Sequence, residues 1–447
     1  MQNKISKPED LAKYVFRKLN GAKIPYPNPP LAVLNKLFEY LFYTSMKTEE
    51  GNLLRVTVTL IDPKYPDPSP PMMIVADRWR FVEFEKPIPF TIEALVKLSK
   101  AADPWSSSLA VYYDSKMNLD IWGLIDQSVH YQSFLNYEAE TGSEQPGIFQ
   151  ASITGIGSIV VLFDYELLAT LKQNKLVTKY IDVFNYGPIS NVLNSFLENY
   201  KLLINDFIDD EGYKDRWDDW VNASFKDTLS RLLLRVQNHR HGGAILLTSD
   251  PTKDVDIKYK IEYNRIPNSI INLIKRIITN YYSTSLILDK MDNNKKTIPI
   301  TLYLESAVSE DEKQETTDEL KGAIRFIASQ TCVDGLVLLN DQFVAKGFGV
   351  VLKTKELPSQ IYISSTASAS ERSLTATDPS HFGTRHRSMF SYCWKHKGSL
   401  GFVVSQDGDI RAITRIENKL IVWENIKTQQ FLRSNKIKRV PAPPKKQ

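Results

Sequence analysis

The spacing of apolar and polar positions predicts a mixed α and β fold for the first part of the chain. Residues 31–46 place apolar side chains along one side of a helix, and residues 54–61 alternate apolar with polar as a half-buried strand does. A second helix is predicted over residues 91–102, with Thr91 as its N-cap. Further strands are predicted over residues 108–113, 119–124, 149–154, 158–163 and 166–172. The mixture of helices and antiparallel strand candidates favours an α+β domain.

A change of pattern near residue 215 predicts a domain boundary. Helical spacing covers residues 190–206 and returns over residues 223–236. The stretch between them is acidic and predicts a solvated connector; its carboxylates are Asp209, Asp210, Glu211, Asp215, Asp218 and Asp219. We therefore assign residues 1–215 to the first domain.

The rest of the chain predicts a second domain with a mixed sheet flanked by helices. Gly242 and Gly243 precede an apolar run, which is typical of a tight turn that enters a buried strand. Helices are predicted over residues 270–278, 310–330 and after Arg387, and strands over residues 298–304, 333–339, 347–352, 400–405 and 409–414. Polar stretches predict a flexible segment at residues 286–296 and a long loop at residues 366–382. This α/β domain is assigned residues 216–415, and residues 416–447 are assigned to a C-terminal extension with a basic, proline-rich tail.

Composition restricts the possible functions only mildly. The 56 basic and 52 acidic residues leave a net charge of +4, which is too small to indicate nucleic acid or a membrane surface as a partner. Cys332 and Cys393 are spaced for neither a disulfide framework nor a metal cluster, which favours a reducing compartment. No apolar run reaches the ~20 residues that span a bilayer, and residues 1–16 lack the apolar core of a signal peptide. We therefore expect a cytoplasmic protein.

One short stretch, Gly383-Thr384-Arg385-His386-Arg387, carries the strongest chemical signal. Guanidinium groups grip phosphate oxygens two at a time, and glycine lets backbone N–H groups approach an anion closely. If Thr384 caps a helix that starts here, the helix N-terminus adds partial positive charge. The stretch therefore predicts a polyphosphate cradle; the ordinary alternative is a solvated basic turn.

Two stretches of the first domain are harder to explain by packing alone. Residues 103–108 read Asp-Pro-Trp-Ser-Ser-Ser, and residues 122–127 read Trp-Gly-Leu-Ile-Asp-Gln, with His130 and Tyr131 shortly after. A small-ligand pocket is one interpretation. A buried tryptophan surrounded by turn residues is the other.

Four separated pieces of the second domain resemble, in order, the motifs of the diadenylate cyclase domain. They are His241-Gly242-Gly243-Ala244, Asp334-Gly335-Leu336, Gly383 to Arg387, and Val403-Val404-Ser405-Gln406. The resemblance covers about residues 225–415. Residues 104–108 and 122–126 also resemble the sensor domain, of the DACNV type, that accompanies some of these cyclases.

The resemblance implies an enzyme that condenses two ATP molecules into cyclic di-AMP and releases pyrophosphate. Asp334 would hold a Mg²⁺ or Mn²⁺ ion beside the attacking ribose 3′-hydroxyl, and Gly335 would let the nucleotide approach the backbone. The residues implied to contact ATP are Leu336, Gly383, Thr384, Arg385, His386, Arg387 and Ser405. Because each domain binds one ATP, the active form would be a face-to-face homodimer or a larger assembly. The N-terminal domain would respond to an unidentified ligand.

Some positions depart from the family pattern and leave alternatives open. Leu336 stands where the family usually has alanine, and Gln406 stands where some members have glutamate. A larger side chain would crowd or repack the nucleotide site, and the glutamine removes a carboxylate. A catalytically inactive nucleotide sensor is therefore an alternative. For His386, both donation to a phosphate and a packing or orienting role remain open.

A nucleic-acid-binding module is a third hypothesis, based on Arg385, Arg387 and the basic tail. The sequence does not favour it, because basic and aromatic residues are not interleaved and no extended basic face is predicted.

Overall fold

An eight-stranded and a nine-stranded β-sheet, each with its own helices, organise the described part of the chain in the computed structural model, and the short strands Thr48–Glu49 and Asn52–Leu53 form a separate two-stranded sheet. The structure describes residues 5–21, 29–64, 80–102, 107–126, 149–163, 166–205, 214–292, 297–406 and 408–428. The chain divides into two compact units between Tyr180 and Ile181, and the second unit ends at Thr428. The expected mixed α and β fold class is confirmed in both units.

In the first unit, helices cover one face of a mostly antiparallel sheet. Its described helices are α1 (Pro8–Gly21), α2 (Leu31–Thr44) and α3 (Ile92–Leu98). Its described strands are β1 (Thr48–Glu49), β2 (Asn52–Leu53), β3 (Val56–Leu60), β4 (Arg80–Pro89), β5 (Ser107–Tyr113), β6 (Leu119–Asp126), β7 (Phe149–Gly155), β8 (Ser158–Phe163), β9 (Glu166–Lys172) and β10 (Lys175–Val177). The main sheet has the order β10-β9-β8-β7-β3-β5-β6-β4, with β3 and β5 parallel.

The central strand β3 shows why this sheet forms. Val56 and Val58 lie in the core shared with α1 and α2, as the period of two requires. On the other face, the Thr59 hydroxyl lies 2.7 Å from the Ser108 hydroxyl and accepts a hydrogen bond from Gln150 Nε2 at 3.1 Å. Buried polar groups on this face therefore satisfy one another.

The second unit has three layers: helices, a mixed sheet and one further helix. Its described helices are α4 (Gly187–Asn205), α5 (Lys214–Asn238), α6 (Arg265–Asp292), α7 (Ile300–Gln330) and α8 (Thr384–Lys395). Its described strands are β11 (Gly243–Leu247), β12 (Val255–Tyr263), β13 (Leu336–Leu339), β14 (Ala345–Leu352), β15 (Ile361–Ser364), β16 (Leu374–Thr377), β17 (Leu400–Val404), β18 (Ile410–Ile416) and β19 (Lys419–Trp423). The sheet has the order β12-β14-β13-β11-β17-β18-β19-β15-β16, with β11 parallel to β13 and β15 parallel to β19.

Alternate side chains of β11 belong to the two hydrophobic cores of this unit. Ile245 and Leu247 face the larger core, which α4, α5, α6 and α7 share. Ala244 and Leu246 face the smaller core, which α8 closes with residues such as Met389. A strand buried on both faces reads as a continuous apolar run, which is the pattern that predicted it.

Several sequence predictions of elements differ from the structure. The predicted strand at 298–304 is wrong, because these residues lead into and form the first turn of helix α7. The predicted flexible segment at 286–296 is helical through Asp292, where α6 ends. The predicted loop at 366–382 contains strand β16 and two short 3₁₀ turns. Thr91 is confirmed as the N-cap of α3, since its hydroxyl accepts from the Ala94 N–H at 3.1 Å.

The division into units also differs from the predicted domain limits. Helix α4 belongs to the second unit, because Leu193, Leu197 and Tyr200 are buried in its larger core. Strand β19 pairs with β18 and β15 inside the same sheet, so the second unit extends beyond residue 415. Part of the predicted acidic connector, including Asp218 and Asp219, is helical in α5.

Some predicted features lie outside the described residues. They are residues 103–106 of the serine-rich corner, Gln127, His130 and Tyr131, the turn at 164–165, Asp209 to Glu211, and the tail from residue 429.

Candidate functional site

Three of the sequence motifs meet at one edge of the second unit's sheet. β11 lies between β13, which runs parallel to it, and β17, which runs antiparallel with Gly243 opposite Val404. Gly242 precedes β11, Asp334 lies two residues before β13, and Ser405 follows β17. The strand register therefore aligns these positions along one edge, where neighbouring strands are about 4.8 Å apart.

Gly242 brings the fourth motif to this edge. Its φ is +69°, and a Cβ atom on it would lie 2.9 Å from Arg385 Nη1, 3.1 Å from the Val404 carbonyl oxygen and 3.3 Å from the Gln406 backbone nitrogen. The half-buried Arg385 guanidinium thus lies against the bare backbone of Gly242. Glycine is needed here both for its left-handed conformation and for the close approach of the arginine.

Asp334 and Gly335 form a tight turn against β14. Gly335 has φ +113°, and a Cβ atom on it would lie 2.6 Å from the carbonyl carbon of Gly349. A Cβ atom on Gly349 would in turn lie 3.5 Å from the Asp334 carbonyl oxygen and 3.2 Å from Cδ2 of Tyr259. The Asp334 side chain is exposed, and no other described side chain pairs with its carboxylate. This turn holds a free carboxylate at the edge of the sheet.

The first turn of α8 presents the arginine-rich stretch. Gly383, with φ −63° and ψ 164°, is the N-cap of α8, and no side chain caps this end. The suggestion that Thr384 caps the helix is therefore wrong, because Thr384 is the first helical residue. Thr384 and Arg387 are exposed. The uncapped N–H groups of this turn supply the partial positive charge that suits an anion.

His386 points into a cluster of charged and aromatic groups. Its Nε2 atom lies 3.1 Å from Nη1 of Arg411 on β18, and Arg411 Nε donates to Glu424 Oε1 at 3.0 Å. The Phe382 ring lies 5.7 Å from the imidazole, between ring centres. Burial, and then the positive charges of Arg411 and Arg385, lower the pKa of His386 to about 4, although Glu424 acts in the opposite sense. His386 is therefore neutral at physiological pH.

Two of the residues predicted to contact ATP have structural roles. The Ser405 hydroxyl accepts from the Asp409 N–H at 3.0 Å and so closes the turn between β17 and β18. Leu336 is buried in the smaller core, where it lies opposite Val350 on β14. The larger side chain at position 336 is thus accommodated by the core.

The described edge residues fit a metal ion only together with its substrate. Within the described ranges, no group of three or more histidine, cysteine, aspartate or glutamate side chains could hold a metal ion. Mg²⁺ is commonly held by one or two carboxylates together with substrate phosphates. A single free carboxylate at Asp334, on the same edge as the arginine-rich helix end, suits that mode.

Sequence reasoning missed Arg411, Glu424 and Phe382. Arg411 lies on β18 and Glu424 directly follows β19, and neither belongs to a sequence motif. The only local indication was a charged residue between the apolar Ile410 and Ala412 in a largely buried strand. Their importance depends on pairing between strands, which the sequence does not state.

Comparison with known protein families assigns part of the first unit. Residues 24–126 match the family described as probable sensor domain DACNV. The match extends from before α2 to the end of β6, so the N-terminal part of the chain is similar to a sensor domain. It includes the described Trp122, whose indole N–H donates to the Ile61 carbonyl oxygen at 3.1 Å. None of the edge residues of the second unit lies within the matched range.

No curated protein matches the chain. Among the described helices, none combines the length and apolar character that crossing a membrane requires.

Proposed function

We propose that the protein is a diadenylate cyclase, which condenses two ATP molecules into cyclic di-AMP and releases two pyrophosphates. The observation that carries the proposal is the contact of Arg385 with the Gly242 backbone, on the edge where Asp334 and Ser405 also lie. Motifs separated by more than a hundred residues thereby share one edge. The match of residues 24–126 to a sensor domain family supports a regulated enzyme, since that domain accompanies diadenylate cyclases.

In this reaction, the ribose 3′-oxygen of one ATP attacks the α-phosphorus of the other, and the bond to pyrophosphate breaks. Such transfers depend on alignment and on neutralising the charge that develops on phosphate oxygens. Arg385, Arg387 and the N–H groups of the first turn of α8 would bind the triphosphate. Asp334 would hold the Mg²⁺ or Mn²⁺ ion that supplies further neutralisation. Two copies facing each other would supply both nucleotides and both attacks.

Product formation tests the proposal directly. The full chain is incubated with ATP and either Mg²⁺ or Mn²⁺, and the products are separated by chromatography. We expect cyclic di-AMP and pyrophosphate in a ratio of one to two. The Asp334→Asn variant should lose at least 100-fold in turnover while still binding ATP, because it removes the metal-binding charge and keeps the side-chain shape.

Asp311→Asn is the matched control, since Asp311 is an exposed carboxylate on α7. It should leave turnover unchanged. Absence of any cyclic dinucleotide with either metal, or equal activity of Asp334→Asn and the parent, would contradict the proposal.

A nucleotide sensor without turnover is the second candidate. Its support is the exposed Gln406, whose backbone nitrogen lies near Gly242, since some members of the family have a carboxylate at this position. ATP binding that is unaffected by Asp334→Asn, without product, would favour this function.

A further inference from the structure

A continuous chain of contacts runs from β19 to the arginine-rich helix end. Glu424 accepts from Arg411 Nε at 3.0 Å, and Arg411 Nη1 lies 3.1 Å from His386 Nε2. Both charged side chains are largely buried, with 17% and 20% exposure for Arg411 and Glu424. The guanidinium also lies 5.8 Å from the centre of the Phe382 ring. Arg411 is thus fixed on more than one side.

The chemistry of this contact determines the state of the imidazole. A guanidinium group has only donors, so Arg411 must donate and His386 Nε2 must accept. A nitrogen that accepts carries no proton, so the single proton of the neutral ring is on Nδ1. No described residue bonds to Nδ1, so this N–H group has no hydrogen-bond acceptor within the described part of the chain.

We infer that Arg411, anchored by Glu424, is a positioning residue that holds His386 as a neutral Nδ1–H donor at the N-terminus of α8. Its part in ATP binding rests on the proposed function, and the state of the imidazole does not. The ligand of this donor would be a phosphate oxygen, because it lies in the same helical turn as Thr384, Arg385 and Arg387.

The charges that face the imidazole agree with this assignment. They are Arg411 from β18, Glu424 after β19, and Arg385 from α8 itself. Burial and the two arginines oppose protonation of His386. The Glu424 carboxylate favours protonation, but its effect is smaller. The donor therefore stays in one state across the physiological pH range, and phosphate binding through it does not weaken as the pH rises from 5.5 to 8.

Nitrogen NMR of the histidine rings in the full-length protein tests the inference without any ligand. The His386 signals are identified by their loss in His386→Gln. We expect the Nδ1–H tautomer, with no titration between pH 5.5 and 8. An Nε2–H tautomer, or a titration within that range, would overturn the inference.

The Arg411→Met variant tests the cause. It keeps the apolar stem and removes the donor and the charge, so the pKa of His386 should rise from about 4 toward its ordinary 6.5. Arg411→Lys retains a donor and a charge and should largely restore the parent spectrum.

Arg415→Met is the control, because Arg415 contacts Trp394 at the other end of α8 and should leave the His386 signals unchanged. If His386 has the same pKa in Arg411→Met and in the parent, Arg411 is not the positioning residue. If Arg411→Met does not fold, the tautomer and titration of His386 are compared in the parent and in Arg411→Lys. An Nε2–H tautomer in the parent would still overturn the inference.

Calorimetric titration with ATP and Mg²⁺ separates this inference from the proposed function. In Arg411→Met, ATP binding should tighten as the pH falls toward the raised pKa of His386, because a charged donor binds phosphate more strongly, whereas the parent should show no such change from His386 between pH 8 and 5.5. If ATP does not bind the parent at all, the proposed function fails while the NMR result still decides the state of His386. If Arg411→Met titrates in the NMR experiment but its ATP affinity does not change with pH, His386 does not donate to the nucleotide and that part of the inference is wrong.

Discussion

His386 links the candidate site to the stability of the fold. Its pKa is lowered to about 4 in the folded chain, mainly by burial and then by Arg411 and Arg385, whereas the unfolded chain has the ordinary value near 6.5. Below pH 6.5 the unfolded state binds a proton that the folded state binds only near pH 4. The stability associated with this group is therefore complete above about pH 6.5 and is lost as the pH falls toward 4.

The His386→Gln variant should reduce this loss, because glutamine does not titrate and its amide oxygen can still accept from Arg411. Between pH 7.5 and 5.0 the parent should lose on the order of 1–2 kcal/mol more free energy of unfolding than the variant, a value already reduced for partial solvent screening. Urea unfolding at the two pH values measures the difference. The control is His381→Gln, in an exposed turn before α8, which should follow the parent. Equal pH dependence of His386→Gln and the parent would show that His386 does not resist protonation.

For single residues, the sequence motifs identified positions that lie on one edge of the sheet, but not the contacts that each side chain makes. Asp334, Gly242 and Arg385 were found from motifs, and the strand register explains why they share an edge. The turn-closing hydrogen bond of Ser405 and the partners of His386 depend on side chains from neighbouring strands. Such partners are separated along the chain and leave no local pattern.

The packing of α8 on β17 shows how one element sets the position of the candidate site. A Cβ atom on Gly401 would lie 2.4 Å from Cγ and 2.6 Å from Sδ of the fully buried Met389. The helix therefore approaches the strand only because residue 401 has no side chain. Since α8 also carries Arg385, this approach sets the distance between the guanidinium and Gly242.

Gly401→Ala should consequently destabilise the second unit by about 1–3 kcal/mol, because the added methyl group overpacks a filled core. The matched control is Gly322→Ala in helix α7, where a Cβ atom would meet nothing within 4 Å. That change should stabilise by about 0.5–1 kcal/mol, since alanine favours a helix interior. Midpoints of urea unfolding compare the two variants. If Gly401→Ala were as stable as Gly322→Ala, the close approach of α8 to β17 would be disproved.

The sequence predicted the type of an element correctly where its periodicity was long and regular. The prediction was wrong where apolar residues are exposed. The alternation from Ile298 to Leu304 suggested a strand, yet Ile300 and Leu304 are 73% and 59% exposed on the first turns of α7. The strand interpretation assumed that apolar residues face a core. Here α7 is held by its contacts with α6 on another side, through pairs such as Asn280 Nδ2 donating to Ser309 Oγ at 3.2 Å.

The whole molecule divides where its cores divide, and the acidic composition near residue 215 does not mark that point. Helix α4 shares its core with α5, as the ring centres of Tyr200 and Phe225 lie 5.3 Å apart and the Tyr200 hydroxyl donates to the Gln342 carbonyl oxygen. At the other end, β19 inserts between β18 and β15. Sequence composition reports solvation of a segment, whereas a core is defined by contacts between distant segments.

These limits predict which fragment of the chain can fold. Residues 181–428 contain every described element of the second sheet and its helices, so this fragment should unfold cooperatively in urea. A fragment of residues 216–415, which the sequence pattern suggests, lacks α4 and β19 and would expose the apolar surface that Leu193, Leu197 and Trp423 cover. It should bind a hydrophobic dye and unfold without a cooperative transition. A fragment of residues 216–428 retains β19 but lacks α4 and the buried Val183 and Phe184 before it, and its dye binding should exceed that of 181–428. Cooperative unfolding of 216–415 at the urea midpoint of 181–428 would show that neither α4 nor β19 belongs to the core of this unit.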